Sequence, residues 1–225
     1  MDTKNITILF ASTNEDKIRR LSLLTKKIRQ EKNITFISLK QAGLDNVDEP
    51  VESGNNELEN ATIKAIYYAS CANELAKFDY VLSQDDGVYN KDIPEEYRAG
   101  KDVKATVARY MGGSSFEDIY NYWLKIGRMY PNSAMEFVWG FSLVKVNNNL
   151  NPTVIGQAKV SIESVINSER IGLTDKISLG SPISPVTLIS IDGKKEYFSD
   201  LTDDMYQLLA DDKCSNLNNL LKKVD

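Results

Sequence analysis

Residues 52–87 read ESGNNELENATIKAIYYASCANELAKFDYVLSQDDG, and the reading of the fold turns on this stretch. Its opening residues, Glu52-Ser53-Gly54, close a polar, acidic loop that also holds Asp45, Asp48, Glu49 and Pro50. Asn56, with Glu59 three positions later, has the spacing of a helix capping box. Leu58, Ala61, Ile63, Ala65, Ile66 and Ala69 then supply the apolar surface of a helix predicted to run to about Ala76. Tyr80-Val81-Leu82-Ser83 reads as a buried strand. Asp85-Asp86-Gly87 follows it, where α/β sheets place functional loops, although Asp-Asp-Gly is equally the composition of a plain turn. Carboxylates and one lysine, Lys64, therefore fall at the start of a helix, along it, and at the end of the next strand. That is the layout of a magnesium and phosphate site. Lys64 itself, among small and apolar neighbours, is either a snorkelling surface lysine or one aimed into a cleft.

Upstream, Ile6 to Ala11 is a short apolar run with the composition of a buried strand. Ser12-Thr13-Asn14 follows, then a helix predicted over Glu15 to Arg29, with Ile18, Leu21, Leu24, Thr25 and Ile28 on one face. Strand, tight polar turn and helix form a unit that presents backbone N–H groups to a phosphate, and Lys17 in the first helical turn adds a charge. The spacing is not that of a Walker loop, and an ordinary helix capped by Ser, Thr or Asn accounts for these residues as well. Ile34 to Leu39 reads as a second strand.

Composition limits the chemistry. The chain has 225 residues, 42% of them hydrophobic and 26% charged, as in an ordinary globular protein long enough to bury a core. A net charge of −5 offers no basic field for nucleic acid, which leaves nucleotides open as ligands because they need only a local basic pocket. The two cysteines, Cys71 and Cys214, form no Cys-x-x-Cys pair, so neither a disulfide framework nor a zinc site is expected. The absence of histidine excludes a Ser-His-Asp triad, a Cys-His dyad and histidine-ligated metals. Acid–base work falls to Asp, Glu, Lys or Tyr, and a metal would be held by oxygen. No secretory pattern opens the chain and no apolar run approaches the ~18 residues of a membrane span, so a cytoplasmic protein is expected.

Beyond residue 94 the pattern is helical and less apolar. Helices are predicted over Val103 to Tyr110 and Phe116 to Arg128, separated by Gly112-Gly113, with Ile119, Trp123 and Ile126 turned inward. Two long β-type runs, Met135 to Val146 and Thr153 to Val165, flank Asn147-Asn148-Asn149 and Pro152, the pattern of a hairpin. A Gly/Ser/Pro loop over Gly180 to Pro185, a strand over Val186 to Ile191, and helices over Asp200 to Asp211 and Ser215 to Lys223 complete the chain. No repeat, low-complexity segment or linker divides it.

Taken together, these residues resemble the HAM1/inosine triphosphate pyrophosphatase family. Phe10-Ala11-Ser12-Thr13-Asn14-Glu15-Asp16-Lys17 is similar to the family's first-strand motif, Ala-Thr-Gly-Asn-x-x-Lys. Glu52-Ser53-Gly54 followed by Glu59-Asn60-Ala61-Thr62-Ile63-Lys64-Ala65 resembles its Glu-x-Gly and Glu-Asn-Ala-x-x-Lys-Ala. Gln84-Asp85-Asp86-Gly87-Val88 stands where the family has Asp-Asp-Ser-Gly-Leu. The likeness implies that residues 1–225 form a single ITPase-like domain. Its fold would be α/β, an elongated mixed β-sheet with flanking helices in two lobes and an active-site cleft between them, usually dimeric. It implies magnesium-dependent cleavage of a nucleoside triphosphate to the monophosphate and pyrophosphate; the charge and hydropathy above add the expectation of no nucleic-acid or membrane partner.

Carried over by position, Ser12, Thr13, Asn14 and Lys17 hold the triphosphate, Lys64 pairs with it, and Asp86 stands at the family serine that completes the substrate site. Asp85 falls on the metal-binding and base aspartate. Glu52 is the second carboxylate ligand, with Glu49 able to reach from the same loop. The departures lie elsewhere. Thr13 replaces the motif glycine and Gln84 the first aspartate. Ser181-Pro182-Ile183-Ser184-Pro185 stands for the base-reading Phe-Gly-Tyr-Asp-Pro, and the closing Ser-His-Arg is absent. The resemblance therefore implies altered purine recognition. The alternative is a nucleotide-binding or regulatory protein on the same fold with little catalysis.

Overall fold

The computed structural model describes residues 5–72, 77–147, 151–169 and 181–225. Seven strands form one mixed sheet in the order β2-β1-β3-β4-β5-β6-β7, with seven α-helices among the described residues. The strands are β1 (Ile6–Phe10), β2 (Ile34–Ile37), β3 (Tyr80–Tyr89), β4 (Ala134–Lys145), β5 (Thr153–Ile166), β6 (Thr187–Ile191) and β7 (Lys194–Tyr197). The helices are α1 (Glu15–Leu24), α2 (Lys26–Lys32), α3 (Glu57–Ser70), α4 (Val103–Met111), α5 (Phe116–Met129), α6 (Asp203–Lys213) and α7 (Ser215–Leu221). β1 pairs in parallel with both β2 and β3, whereas β6 pairs antiparallel with β5 and β7. The expected mixed α/β sheet is thus present.

The chain packs as two compact units. The first comprises residues 1–85, 139–160 and 210–225. Its core includes Leu9 and Ala11 after β1, Val81 from β3, Val144 from β4, and Ala65, Tyr68 and Ala69 from α3. These positions show why α3 forms where it does. Small residues at helical spacing let it lie close against a sheet whose facing positions are aliphatic. The approach is tightest at Gly140 of β4, where an added Cβ would stand 2.6 Å from the Glu57 carbonyl carbon in the first turn of α3. Farther along the same pair, Thr62 donates to Ser142 Oγ at 3.1 Å.

The second unit comprises residues 86–138 and 161–209. α4 ends at Gly112, which takes the left-handed conformation (φ 82°) that glycine adopts without strain. α5 opens with a reciprocal Ser115/Asp118 capping box and buries Ile119, Trp123 and Ile126 as its pattern predicts. Tyr122, also buried, donates to the Tyr97 carbonyl at 2.6 Å.

The structure corrects several boundaries. The helix expected over Glu15 to Arg29 is two helices broken at Thr25, whose buried hydroxyl donates to the Leu21 carbonyl and competes with the backbone ladder. α3 ends at Ser70 with Cys71 as its cap, and the expected end near Ala76 lies outside the described residues. The expected turn residues Asn148 and Asn149 and the loop residue Gly180 also lie outside them. The helix expected from Asp200 starts at Asp203, because Phe198–Asp200 forms a separate 3-10 turn. β7 was not foreseen. Its Lys-Lys-Glu-Tyr sequence carries no apolar alternation, and it is held by pairing to β6. Most consequential, Asp85-Asp86-Gly87 is not a turn but part of β3, which runs unbroken to Tyr89.

The Gly140 contact makes a direct prediction. Gly140→Ala places a methyl group against the α3 backbone and should cost about 1–3 kcal/mol in urea unfolding. An unchanged midpoint would show that α3 does not seat on β4 as described.

Candidate functional site

β1 and β3 set the geometry. Their parallel pairing ends at Phe10 opposite Leu82, and the Ala11 amide makes a last bond to the Leu82 carbonyl at 2.9 Å. The β1 chain then turns away while β3 continues. Residues of β3 beyond Leu82 therefore lie past the carboxyl end of β1, where open α/β sheets hold ligands. Successive side chains on a strand face opposite sides. Val81 packs against α3, Ser83 donates to the Ala61 carbonyl of α3, and Asp85 accepts from Asn60 of α3 at 3.0 Å. Asp86 and Gln84 consequently face the other side of the sheet.

Asn60 is the residue that sequence reasoning missed as a site member. It is 4% exposed. Its carboxamide oxygen accepts from the Gly54 amide at 2.8 Å, and its nitrogen donates to Asp85 Oδ2. Gly54 is required there, because a Cβ would stand 2.7 Å from that same oxygen and 2.6 Å from Glu59 Cβ. The one available signal was its place between Glu59 and Ala61 in the quoted motif.

The loop preceding α3 lies along one face of the helix, read by residues four apart. Gly54 meets Asn60 and Glu52 meets Lys64, whose Nζ is 2.5 Å from the carboxylate. One position further, Tyr68 has its hydroxyl pKa pushed up to about 12, chiefly by burial and then by Glu49 and other neighbours including Glu52. Lys64 is therefore not a free snorkelling cation but is ion-paired, with its side chain 18% exposed. The helix start is held separately. Asn56 accepts from the Glu59 amide at 3.0 Å, while the Glu59 carboxylate reaches the Asn55 amide at 2.9 Å and not the Asn56 backbone as a capping box would.

On the other side of β1, Asn14 caps α1, with its side-chain oxygen accepting from the Asp16 and Lys17 amides at 3.0 and 3.3 Å. The Asn14 amide donates to Ser12 Oγ at 3.1 Å. Ser12, Thr13, Asn14 and Lys17 thus form one capped turn at the carboxyl end of β1. Thr13 is exposed at its tip and the other three are half-buried.

The structure brings together Glu52, Lys64 and, through Asn60, Asp85. The residue 12–17 turn forms at the end of the adjacent strand. Among the described residues, no group of three or more Asp, Glu, Cys or His side chains stands ready to hold a metal.

The segment expected at the base-reading position forms a short 3-10 turn. Ile183, Ser184, Pro185 and Val186 are buried in the second unit. There Ser184 donates to the Ser181 carbonyl at 2.7 Å and Thr187 to that of Ile183 at 2.9 Å.

No family profile and no curated protein sequence matches the chain. Solved structures do. The Staphylococcus aureus Ham1 protein is similar at 18% identity and a TM-score of 0.56, over 88% of each chain. A HAM1 protein from Coxiella burnetii is similar at 18% identity and 0.61, over 97% of this chain and all of that one. The chain has the HAM1 fold. A nucleoside-triphosphatase, or dITP/XTP pyrophosphatase, from Mycobacterium abscessus shares it at 19% identity and 0.58, over 96% and 98%. The HAM1 fold therefore extends through both halves of the chain, including the half in which the sequence motifs fade.

Asn60→Leu removes both hydrogen bonds and leaves the Gly54 amide buried without an acceptor. It should destabilise the protein by about 1–3 kcal/mol and accelerate hydrogen exchange at the Gly54 amide. Exchange as slow as in the parent protein would remove Asn60 from its bridging position.

Proposed function

We propose that the chain is a divergent HAM1-type nucleoside triphosphate pyrophosphohydrolase. It would cleave a nucleotide to its monophosphate and pyrophosphate with magnesium, and act on a base that the usual purine motifs do not select. The observation that carries this reading is the Gly54–Asn60–Asp85 chain with the Glu52–Lys64 pair beside it. It fixes an acid on β3 and a paired acid and lysine along α3, and these belong to the motifs that resemble the family. The nucleotide reading also draws on the fold shared with the Mycobacterium abscessus pyrophosphatase.

In this reading the turn of Ser12, Thr13, Asn14 and Lys17 binds the triphosphate through hydroxyls, backbone amides at the start of α1, and the Lys17 charge. Lys64 meets the phosphate chain and offsets negative charge as the leaving pyrophosphate departs. Asp85, oriented by the Asn60 amide, positions a water and takes its proton. Glu52 and Asp85 would hold magnesium, which when bound would offset the negative charge of the phosphates. Glu52 is shared between that task and Lys64, so the pair keeps both side chains in place before substrate arrives. Ser181 to Pro185, which stands for the base-reading motif, carries no aromatic residue, in keeping with altered base recognition. A homodimer is part of the same proposal.

Two variants test it. Asp85→Asn should lower magnesium-dependent pyrophosphate release by about 10²–10⁴-fold with the unfolding midpoint little changed. A fully active Asp85→Asn protein contradicts the assignment. Lys64→Ala should act chiefly on nucleotide affinity, and an unchanged affinity would leave Lys64 as a structural partner of Glu52 alone.

A further inference from the structure

Arg20 is a buried cation that the proposed mechanism does not use. It sits on α1, 3% exposed, with its guanidinium carbon 4.6 Å from the centroid of the Trp139 ring. Its Nη2 is buried with no hydrogen-bond partner among the described residues. Among the described residues no carboxylate pairs with it. The nearby thiol of Cys214, between α6 and α7, is pushed up to about 12 chiefly by its burial, and so supplies no anion to Arg20 at ordinary pH. Removing a guanidinium from water without an anion is costly, and a ring face offsets only part of that cost. A replacement such as Met would pack in the same place without the penalty.

The position of Arg20 indicates which anion it would meet. It is three residues after Lys17, so the two share a helix face about 4.5 Å apart along the axis. It is five residues after Glu15, about 7.5 Å from the start of the helix. Side chains on a helix lean toward its N-terminus, and Arg is long enough to span that rise. The N-terminal turn holds the exposed acids Glu15 and Asp16, which oppose an approaching anion unless nearby cations offset them.

We propose that Arg20 is a stored cation, stacked on Trp139 in the free protein, that turns toward an oligophosphate held at the Ser12 to Lys17 turn. Its planar fork would supply bidentate hydrogen bonds that Lys17 cannot. The proposal rests on the phosphate-binding half of the reading above but requires no hydrolysis, so the two can fail separately.

The test uses the full chain titrated with inorganic tripolyphosphate, followed by tryptophan fluorescence and by thermal unfolding. The parent protein should bind, change its fluorescence as the guanidinium leaves Trp139, and gain in melting temperature. Arg20→Met should be at least as stable without ligand, yet bind about tenfold or more weakly and lose the fluorescence change. Arg20→Lys should fall between them in affinity. Equal affinity in parent and Arg20→Met overturns the proposal, as does a parent protein that binds without any fluorescence change or does not bind. Should Arg20→Met fail to fold, parent-level affinity in Arg20→Lys overturns it and a weakened one supports it. If Arg20 governs tripolyphosphate binding while no nucleoside triphosphate is hydrolysed, the catalytic reading falls and this inference stands.

Discussion

One buried carboxamide holds the candidate site together. Asn60 accepts from a loop amide in a buried bond and donates to a strand carboxylate in a partly buried one. A buried amide group left half-satisfied costs more than a satisfied one contributes, so each partner of Asn60 fixes the other. The Gly54 loop cannot lift without exposing an unpaired oxygen, and Asp85 cannot swing without losing its donor. Glu52, two residues before Gly54, is thereby delivered to Lys64 one helical turn beyond Asn60. The acid–lysine arrangement is a consequence of where one loop is nailed to one helix.

That helix is in turn placed by small residues. Ala61, Ala65 and Ala69 bring α3 close to β3, and Gly140 lets its first turn approach β4. With the backbones this near, Ser83 reaches the Ala61 carbonyl and Asp85 reaches Asn60 on the same strand face. The early end of β1 leaves the following part of β3 without its parallel neighbour on that side. An ordinary packing requirement, met by alanine and glycine, thus carries the carboxylate to the carboxyl end of a parallel strand.

Much of this was legible in the sequence. The strand at Ile6 to Phe10, the helix begun by Asn56, the two helices flanking Gly112-Gly113 and the two long strands all follow from local periodicity and caps. What was not legible depended on partners distant in the chain. Asp-Asp-Gly has turn composition, and only its place in the sheet makes it strand. By strand alternation Asp86 then faces away from α3, while Asp85 accepts a hydrogen bond from Asn60. Thr25 reads as one more position on an amphipathic face until its hydroxyl bonds back to Leu21. Nothing local in the sequence places Arg20 on Trp139, a residue of a distant strand. Asn60 was quoted within a motif, but its two bonding partners are fixed only once loop, helix and strand have met.

We propose that this framework serves cleavage between the α- and β-phosphates of a nucleotide. The most direct measurement is phosphorus NMR of the products formed from a panel of nucleoside triphosphates, with and without magnesium. The account predicts pyrophosphate and nucleoside monophosphate in equal amounts from at least one nucleotide, and only when magnesium is present. Orthophosphate with nucleoside diphosphate, or no product from any nucleotide in the panel, would contradict it.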